Sequence, residues 1–411
     1  MRSSRVSRAA FIALSAAAQA AVSVPGTARA QTPAAPAAPQ KLRKSLVLSG
    51  GGALGAYEAG VIQHLIEASG VREGQPLPDH GVVCGTSIGA LNAFLVATAQ
   101  WSKVRGIWQT ISSENVIRLK PEYQKITNPS SGVLSRIWEA ISIALGSGKD
   151  VQGVIDGENL RRFMLAYLNL DAKIVTPMIW AVTNLSRQLP EYFYLLPDGF
   201  GDERKQYALR ALAAAAGPAV ALREADRPTL VDQLRASAAV PLAFDPVTLS
   251  DGNGKPAQYV DGGVTQNTPI SAARALSSEV DAVLLSPPYE EQRYDNLIEI
   301  GLGSFGTMQR VLMIESIRVA YLESIILQQV RVMKPEEVSE FGRLHGFHAA
   351  ELDSYARLLG DTAFAVLRPL KPLPAKLFGF DNAKAISDTF EAGRKDAAGG
   401  FLPFSDSMVD S

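Results

Sequence analysis

Ser87 stands in Gly85-Thr86-Ser87-Ile88-Gly89, a G-x-S-x-G pattern. A serine hydroxyl becomes a useful nucleophile only when something aims it and takes its proton. The apolar run Val82 to Cys84 enters this pattern, and Ile88, Leu91, Phe94 and Leu95 leave it at helical spacing, which predicts a strand, a sharp turn and a helix. Such a turn is crowded, so Gly85 and Gly89 must be small. It lifts the hydroxyl to a helix N-terminus, where developing negative charge is favoured.

A second stretch offers donors for such charge. Ser45 to Leu48 reads as a buried strand. It runs into Ser49-Gly50-Gly51-Gly52-Ala53-Leu54-Gly55 and then a helix carrying Val61, Ile62, Leu65 and Ile66 on one face. A glycine turn between strand and helix N-terminus is a nest of backbone amides suited to an anion or an oxyanion. Gly50, Gly52 and Gly55 also satisfy the dinucleotide fingerprint G-x-G-x-x-G. That fingerprint wants an acidic residue closing the second strand, but the strand at 81–84 ends in Gly85-Thr86-Ser87. Dinucleotide site, oxyanion site and plain tight turn stay open here, with the missing acid weighing against the first.

The third position is Asp261, at the end of a short strand Gln258-Tyr259-Val260 and followed by Gly262 and Gly263. The glycines permit close approach to the carboxylate. A simple Asp-Gly turn is the alternative. Pro269 opens a helix soon after, so the aspartate sits in a strand-loop-helix connection like the serine and the nest.

The composition removes several classes of function. Over 411 residues the net charge is −1 and the pI about 6.5, so no basic field points to nucleic acid. Cys84 is the sole cysteine, which excludes an intrachain disulfide. Four scattered histidines, His64, His80, His345 and His348, suggest no metal site. No cofactor is expected. A hydrophobic content of 47% supports a substantial core, as one large domain or two small ones.

The elements that must position these residues follow in order. Residues 1–30 read as a secretory signal: Arg2, Arg5 and Arg8, an uncharged alanine-rich run, then Ala28-Arg29-Ala30 as a cleavage site. Residues 31–43 form a proline- and alanine-rich linker. Residues 44–275 are expected to be the catalytic domain, and 276–411 a C-terminal strand and helical extension. Tyr123, Ile137, Trp138, Ile141 and Leu145 read as core. Met178 to Thr183 is a strand with Tyr192-Phe193-Tyr194 as hairpin partner. Ala208 to Ala225 reads as helix broken at Gly217-Pro218, and a second helix runs from Thr229 through Ala239. Turns fall at Asp251-Gly252 and Asn253-Gly254 before the Asp261 strand. Val280 to Leu285 is another strand, Asp295 to Met333 an amphipathic helical region, and one further helix follows Phe378.

Taken together, Gly50 to Gly55, Gly85 to Gly89 and Asp261-Gly262-Gly263 resemble the patatin-like phospholipase family, close to its bacterial members. Ala236-Ser237-Ala238-Ala239-Val240-Pro241 is similar to the segment preceding that family's aspartate, and the resemblance spans about Lys44 to Ala275. Leu54 departs from it, since the family usually has Arg or Lys there. The resemblance implies a three-layer α/β/α fold with a mostly parallel central sheet and C-terminal covering helices. It implies a Ser-Asp dyad, with Ser87 attacking an ester carbonyl, Asp261 taking its proton, and Gly50, Gly51, Gly52 and Ala53 donating to the oxyanion. The expected protein is an exported lipid acyl hydrolase of phospholipase A or esterase type. It would act on phospholipids or other acyl-ester lipids and touch a membrane surface transiently. An acyltransferase with the same dyad and a non-catalytic lipid- or dinucleotide-binding protein are the alternatives. Oligomeric state is not specified. An aspartate base, with an ordinary pKa near ~3.9, would keep activity at mildly acidic pH and make histidine dispensable.

Overall fold

A computed structural model describes residues 42–128, 130–147, 153–216, 221–285 and 363–403. The expected signal, the linker up to residue 41 and the 295–333 helical region, with His345 and His348, lie outside the described residues, whereas Leu42 and Arg43, expected to close the linker, already belong to a strand paired in the sheet.

Strand β1 (Leu42–Leu48) leads through the glycine turn into helix α1 (Gly55–Ser69). Strand β2 (His80–Thr86) leads through Ser87 into α2 (Ile88–Ala97). Then come α3 (Trp101–Thr110), α4 (Val133–Gly146), the short strand β3 (Gly153–Ile155) and α5 (Gly157–Tyr167). Strands β4 (Met178–Asn184) and β5 (Leu189–Leu195) form the expected hairpin and precede α6 (Asp202–Ala216) and β6 (Ala221–Glu224). Helix α7 (Leu230–Ser237) is followed by β7 (Leu242–Phe244), β8 (Val247–Ser250) and β9 (Pro256–Asp261). Helix α8 (Ile270–Leu276), β10 (Ser277–Val283), β11 (Ala363–Leu367), α9 (Ala383–Ala397) and β12 (Leu402–Pro403) complete the order.

The main sheet runs β12-β11-β10-β1-β2-β4-β5-β6, with β9 also on β4 and β8 on β9. The pairs β10–β11, β1–β10, β1–β2, β2–β4 and β5–β6 are parallel. Alternate residues of the central strands enter two separate cores, as the period of two requires. Leu46, Leu48, Val83, Met178 and Trp180 pack with α1, α2, α3 and α9 on one face. Val47, Val82, Cys84, Ile179 and Ala181 pack with α6 and α8 on the other. The architecture is therefore α/β with helices on both faces of a mostly parallel sheet. Helix α9 is a C-terminal covering helix, laid across α1.

Some local expectations are corrected. Ala221 to Glu224 is a strand, not the tail of an alanine-rich helix. Its pairing with β5 overrides helix propensity, and Arg223 is tied to Glu191 at 2.9 Å and stacked over Phe193. Helix α7 stops at Ser237, short of Ala239. The stretch after Pro241, for which no element was expected, holds β7 and β8 ahead of the turns at Asp251-Gly252 and Asn253-Gly254. His80, expected in a loop, is the buried first residue of β2, and its Nε2 lies 3.2 Å from Asp281. Ile137 and Ile141 are core as expected, whereas Leu145 is exposed.

Candidate active site

Strand β4 brings the serine and the aspartate together. One of its edges is covered by β5 along the whole length, Met178 to Asn184. The other edge is shared. Strand β2 lies parallel to its first part, ending with Thr86 opposite Ala181. Strand β9 lies antiparallel to its second part, ending with Asp261 opposite Val182. Two strands on one edge thus meet head to head at their C-terminal ends, which sets Ser87, the residue after β2, facing Asp261, the last residue of β9.

The backbone at Ser87 is strained. Its φ of 55° and ψ of −125° are rare for a residue with a side chain, and cost about 1–3 kcal/mol. Packing holds it there. A Cβ on Gly85 would lie 2.4 Å from the Gly89 carbonyl oxygen, and one on Gly89 would lie 2.4 Å from that of Leu48. The Ser87 N–H donates to the Ser237 hydroxyl at 2.8 Å, and that hydroxyl donates to the Ala181 carbonyl at 2.6 Å. The Ser87 hydroxyl lies beside the Asp261 carboxylate, near enough to favour its ionised form as a hydrogen-bond donor.

Asp261 is 5% exposed. Its Oδ1 accepts the Gly263 N–H at 2.6 Å, and its own N–H donates to the Ala239 carbonyl at 2.9 Å. Burial raises its pKa to about 7, against the opposing pull of the Ser87 and Gly263 bonds. That departs from the mildly acidic working range expected of an ordinary aspartate. A carboxyl with few solvating partners holds its proton to neutral pH.

The glycine turn borders the pair. A Cβ on Gly50 would stand 3.2 Å from the Ser87 Cβ and 2.4 Å from the Asn267 Oδ1. A Cβ on Gly263 would stand 2.7 Å from that same oxygen. The Asn267 amide is therefore wedged between the two glycine motifs, and its Nδ2 donates to the Gly50 carbonyl at 3.2 Å. Of the four amides expected to face an oxyanion, two are engaged. The Gly50 N–H donates to the Asn267 carbonyl and the Ala53 N–H to the Leu377 carbonyl, each at 2.9 Å. The Gly51 and Gly52 N–H groups have no acceptor among the described residues. Gly52 has φ +56°, a conformation suited to glycine. Gly55 opens α1 against Ile88, and Gly262 lies against the Ala181 carbonyl.

Residues 49–52, Leu54, Ser87, Asp261, Gly263 and Asn267 line one pocket, otherwise walled mainly by hydrocarbon such as Leu91, Val240, Phe244 and Leu285. Leu54 is buried in that wall. No group of three metal-ligating side chains occurs among the described residues. Nor is any described helix long and apolar enough to cross a membrane.

Several positioning groups carried no assigned role in the sequence. Ser237 and Asn267 fall in stretches already singled out, beside Pro241 and Pro269, but only contacts show what they hold. A third group is fully internal. The Asn92 Nδ2 donates to the Gly55 carbonyl at 2.9 Å and to the Glu58 carboxyl at 3.0 Å, and Trp108 Nε1 donates to Asn92 Oδ1 at 3.2 Å. Burial raises the pKa of Glu58 well above the usual range. This network ties the first turn of α1 to α2 and α3.

The arrangement offers a hydroxyl beside a carboxylate, two unengaged amides next to them, and an apolar pocket around all three. No curated protein matches the chain at significant similarity. Among solved structures it is similar to VipD from Legionella pneumophila, at 12% identity over 88% of this chain and 68% of that one, with a TM-score of 0.32. The patatin-like phospholipase family model matches residues 46–274, more than half of the chain and all three motifs. The protein belongs to the patatin-like phospholipases, a family of lipid acyl hydrolases.

Proposed function

We propose that this protein hydrolyses fatty-acyl esters of lipids, phospholipids among them, through a Ser87–Asp261 dyad. The single observation carrying the reading is the contact between the Ser87 hydroxyl and a buried carboxylate whose pKa is about 7. A base poised near neutrality suits proton transfer at neutral pH. Asp261 takes the hydroxyl proton as Oγ adds to the ester carbonyl. The oxyanion accepts hydrogen bonds from the Gly51 and Gly52 amides. Collapse expels the alcohol, which takes the proton from Asp261 and leaves an acyl group on Ser87. Water then adds, again losing a proton to Asp261, and as the fatty acid departs the Ser87 oxygen takes that proton back, which restores the hydroxyl and the carboxylate.

Residues 1–30 support export before action, with Gln31 as the first residue of the mature chain and transient contact with a membrane surface. The test of the dyad is a fluorophosphonate probe with peptide mapping, alongside fatty-acid release from phosphatidylcholine vesicles. Label on the Ser87 peptide with release of fatty acid is expected. Release that persists in Ser87→Ala would overturn the assignment.

A further inference from the structure

A second apolar chamber lies behind the active-site pocket, lined among others by Leu95, Trp108, Phe163, Met164 and Leu168. Ile88, Leu91, Val116 and Leu160 line both spaces, so the two adjoin along one side of the nucleophile's helix. We propose that this chamber holds the distal part of the substrate's acyl chain and sets which chain lengths are turned over. The inference rests on the lipid-ester reading above.

Position supports it first. Ile88 follows the nucleophile directly, and Ile88, Leu91, Asn92 and Leu95 are successive contacts on one face of α2. Their span is about 10 Å at the helical rise per residue. A chain whose carbonyl sits at Ser87 and which follows this face passes through the shared waist and ends against Met164 and Leu168.

Chemistry supports it second. Asn92 is the one polar side chain of the lining besides the Trp108 indole N–H, and both are spent. The Asn92 amide hydrogens go to Gly55 and Glu58, and its oxygen accepts the Trp108 Nε1–H. The chamber therefore offers an occupant hydrocarbon only. A glycerol, sugar or phosphate would lose its hydrogen bonds to water and gain none. Water fares no better in an apolar cavity. An alkyl chain delivered from Ser87 meets every condition.

The experiment measures kcat/KM for p-nitrophenyl butyrate, octanoate, laurate and palmitate, with wild type, Met164→Trp and Met164→Ala. Far-ultraviolet circular dichroism and melting curves establish that each variant is folded. In the wild type the laurate-to-butyrate ratio should exceed about tenfold, modest against the roughly fourfold that one buried methylene can contribute. Met164→Trp fills the chamber and should lower that ratio at least about tenfold. Met164→Ala enlarges it and should move the optimum to a longer chain. Ratios unchanged within about twofold in both folded variants would overturn the proposal. A second readout is independent of turnover: calorimetric binding of laurate and butyrate to the Ser87→Ala protein. Tighter binding of laurate, lost in Ser87→Ala/Met164→Trp, supports the chamber even if no ester is cleaved and the hydrolase reading fails. Equal binding of the two acids would overturn it even if esters are cleaved.

Discussion

The backbone N–H of Ser87 donates to the side chain of Ser237 at 2.8 Å, across 150 residues of sequence. The acceptor hydroxyl passes its own proton to the Ala181 carbonyl. One buried side chain thus ties the strained turn at Ser87 to the strand that aligns it with Asp261. Replacing Ser237 by Ala leaves a buried N–H and a buried carbonyl unpaired, at about 1–3 kcal/mol each. We expect Ser237→Ala to lower kcat by about tenfold or more with little change in KM. Ser237→Thr, which restores the hydroxyl, should recover part of it. Steady-state kinetics on one soluble ester decide this, and an unchanged kcat would exclude a positioning role.

Asp261 must be ionised to act as base, and burial raises its pKa to about 7. Activity should therefore rise with pH through about 7 and be small at mildly acidic pH. A pH–kcat/KM profile already flat from pH 5 would contradict an Asp261 base with that pKa.

The same shift bears on stability. A carboxyl with a folded pKa above its unfolded value stabilises the fold fully below the unfolded pKa of about ~4. That contribution is lost as pH rises to about 7. Asp261→Asn removes the buried charge, so the variant should melt a few degrees above wild type at pH 8, and the gap should close near pH 5. Turnover should fall by several orders of magnitude. A variant that melts lower at pH 8 than wild type would reverse the sign of the argument.

Gly52 combines φ +56° with a site where a Cβ would meet the Leu377 carbonyl oxygen at 2.1 Å. Gly52→Val should shift the turn and the Gly51 and Gly52 amides with it, lowering kcat at least about a hundredfold. Kinetics on the folded variant test this, and near-normal turnover would remove these amides from the oxyanion site.

His80 stands at the start of β2 and Ser87 just past its end, about 23 Å apart at the strand rise per residue. His80→Gln should lower stability by loosening the contact with Asp281, yet keep most of kcat. His64→Gln, His345→Gln and His348→Gln should also remain active. Loss of turnover in any of these, with the protein folded, would replace the dyad by a triad.

Much of the site was legible in local sequence because its devices are local. Gly85 to Gly89, Gly50 to Gly55 and Asp261 to Gly263 each encode a strand end and a turn within a few residues. The crowding that demands glycine there follows from backbone sterics. The hairpin of β4 and β5 and the buried runs Ser45 to Leu48 and Val82 to Cys84 were readable from the same short-range patterns. Misreadings came where a partner outvoted propensity, as when β5 drew Ala221 to Glu224 into the sheet. What only the tertiary structure decided depends on residues far apart in the chain. The shared edge of β4 makes Ser87 and Asp261 neighbours, and their contact follows from register rather than from either motif. Burial set the pKa of Asp261, because desolvation is a property of surroundings and not of residue type. The partners Asn267 and Leu377 took up the Gly50 and Ala53 amides and narrowed four candidate donors to two. The chamber behind α2 exists only because α3 and α5 close over the helix that the nucleophile begins.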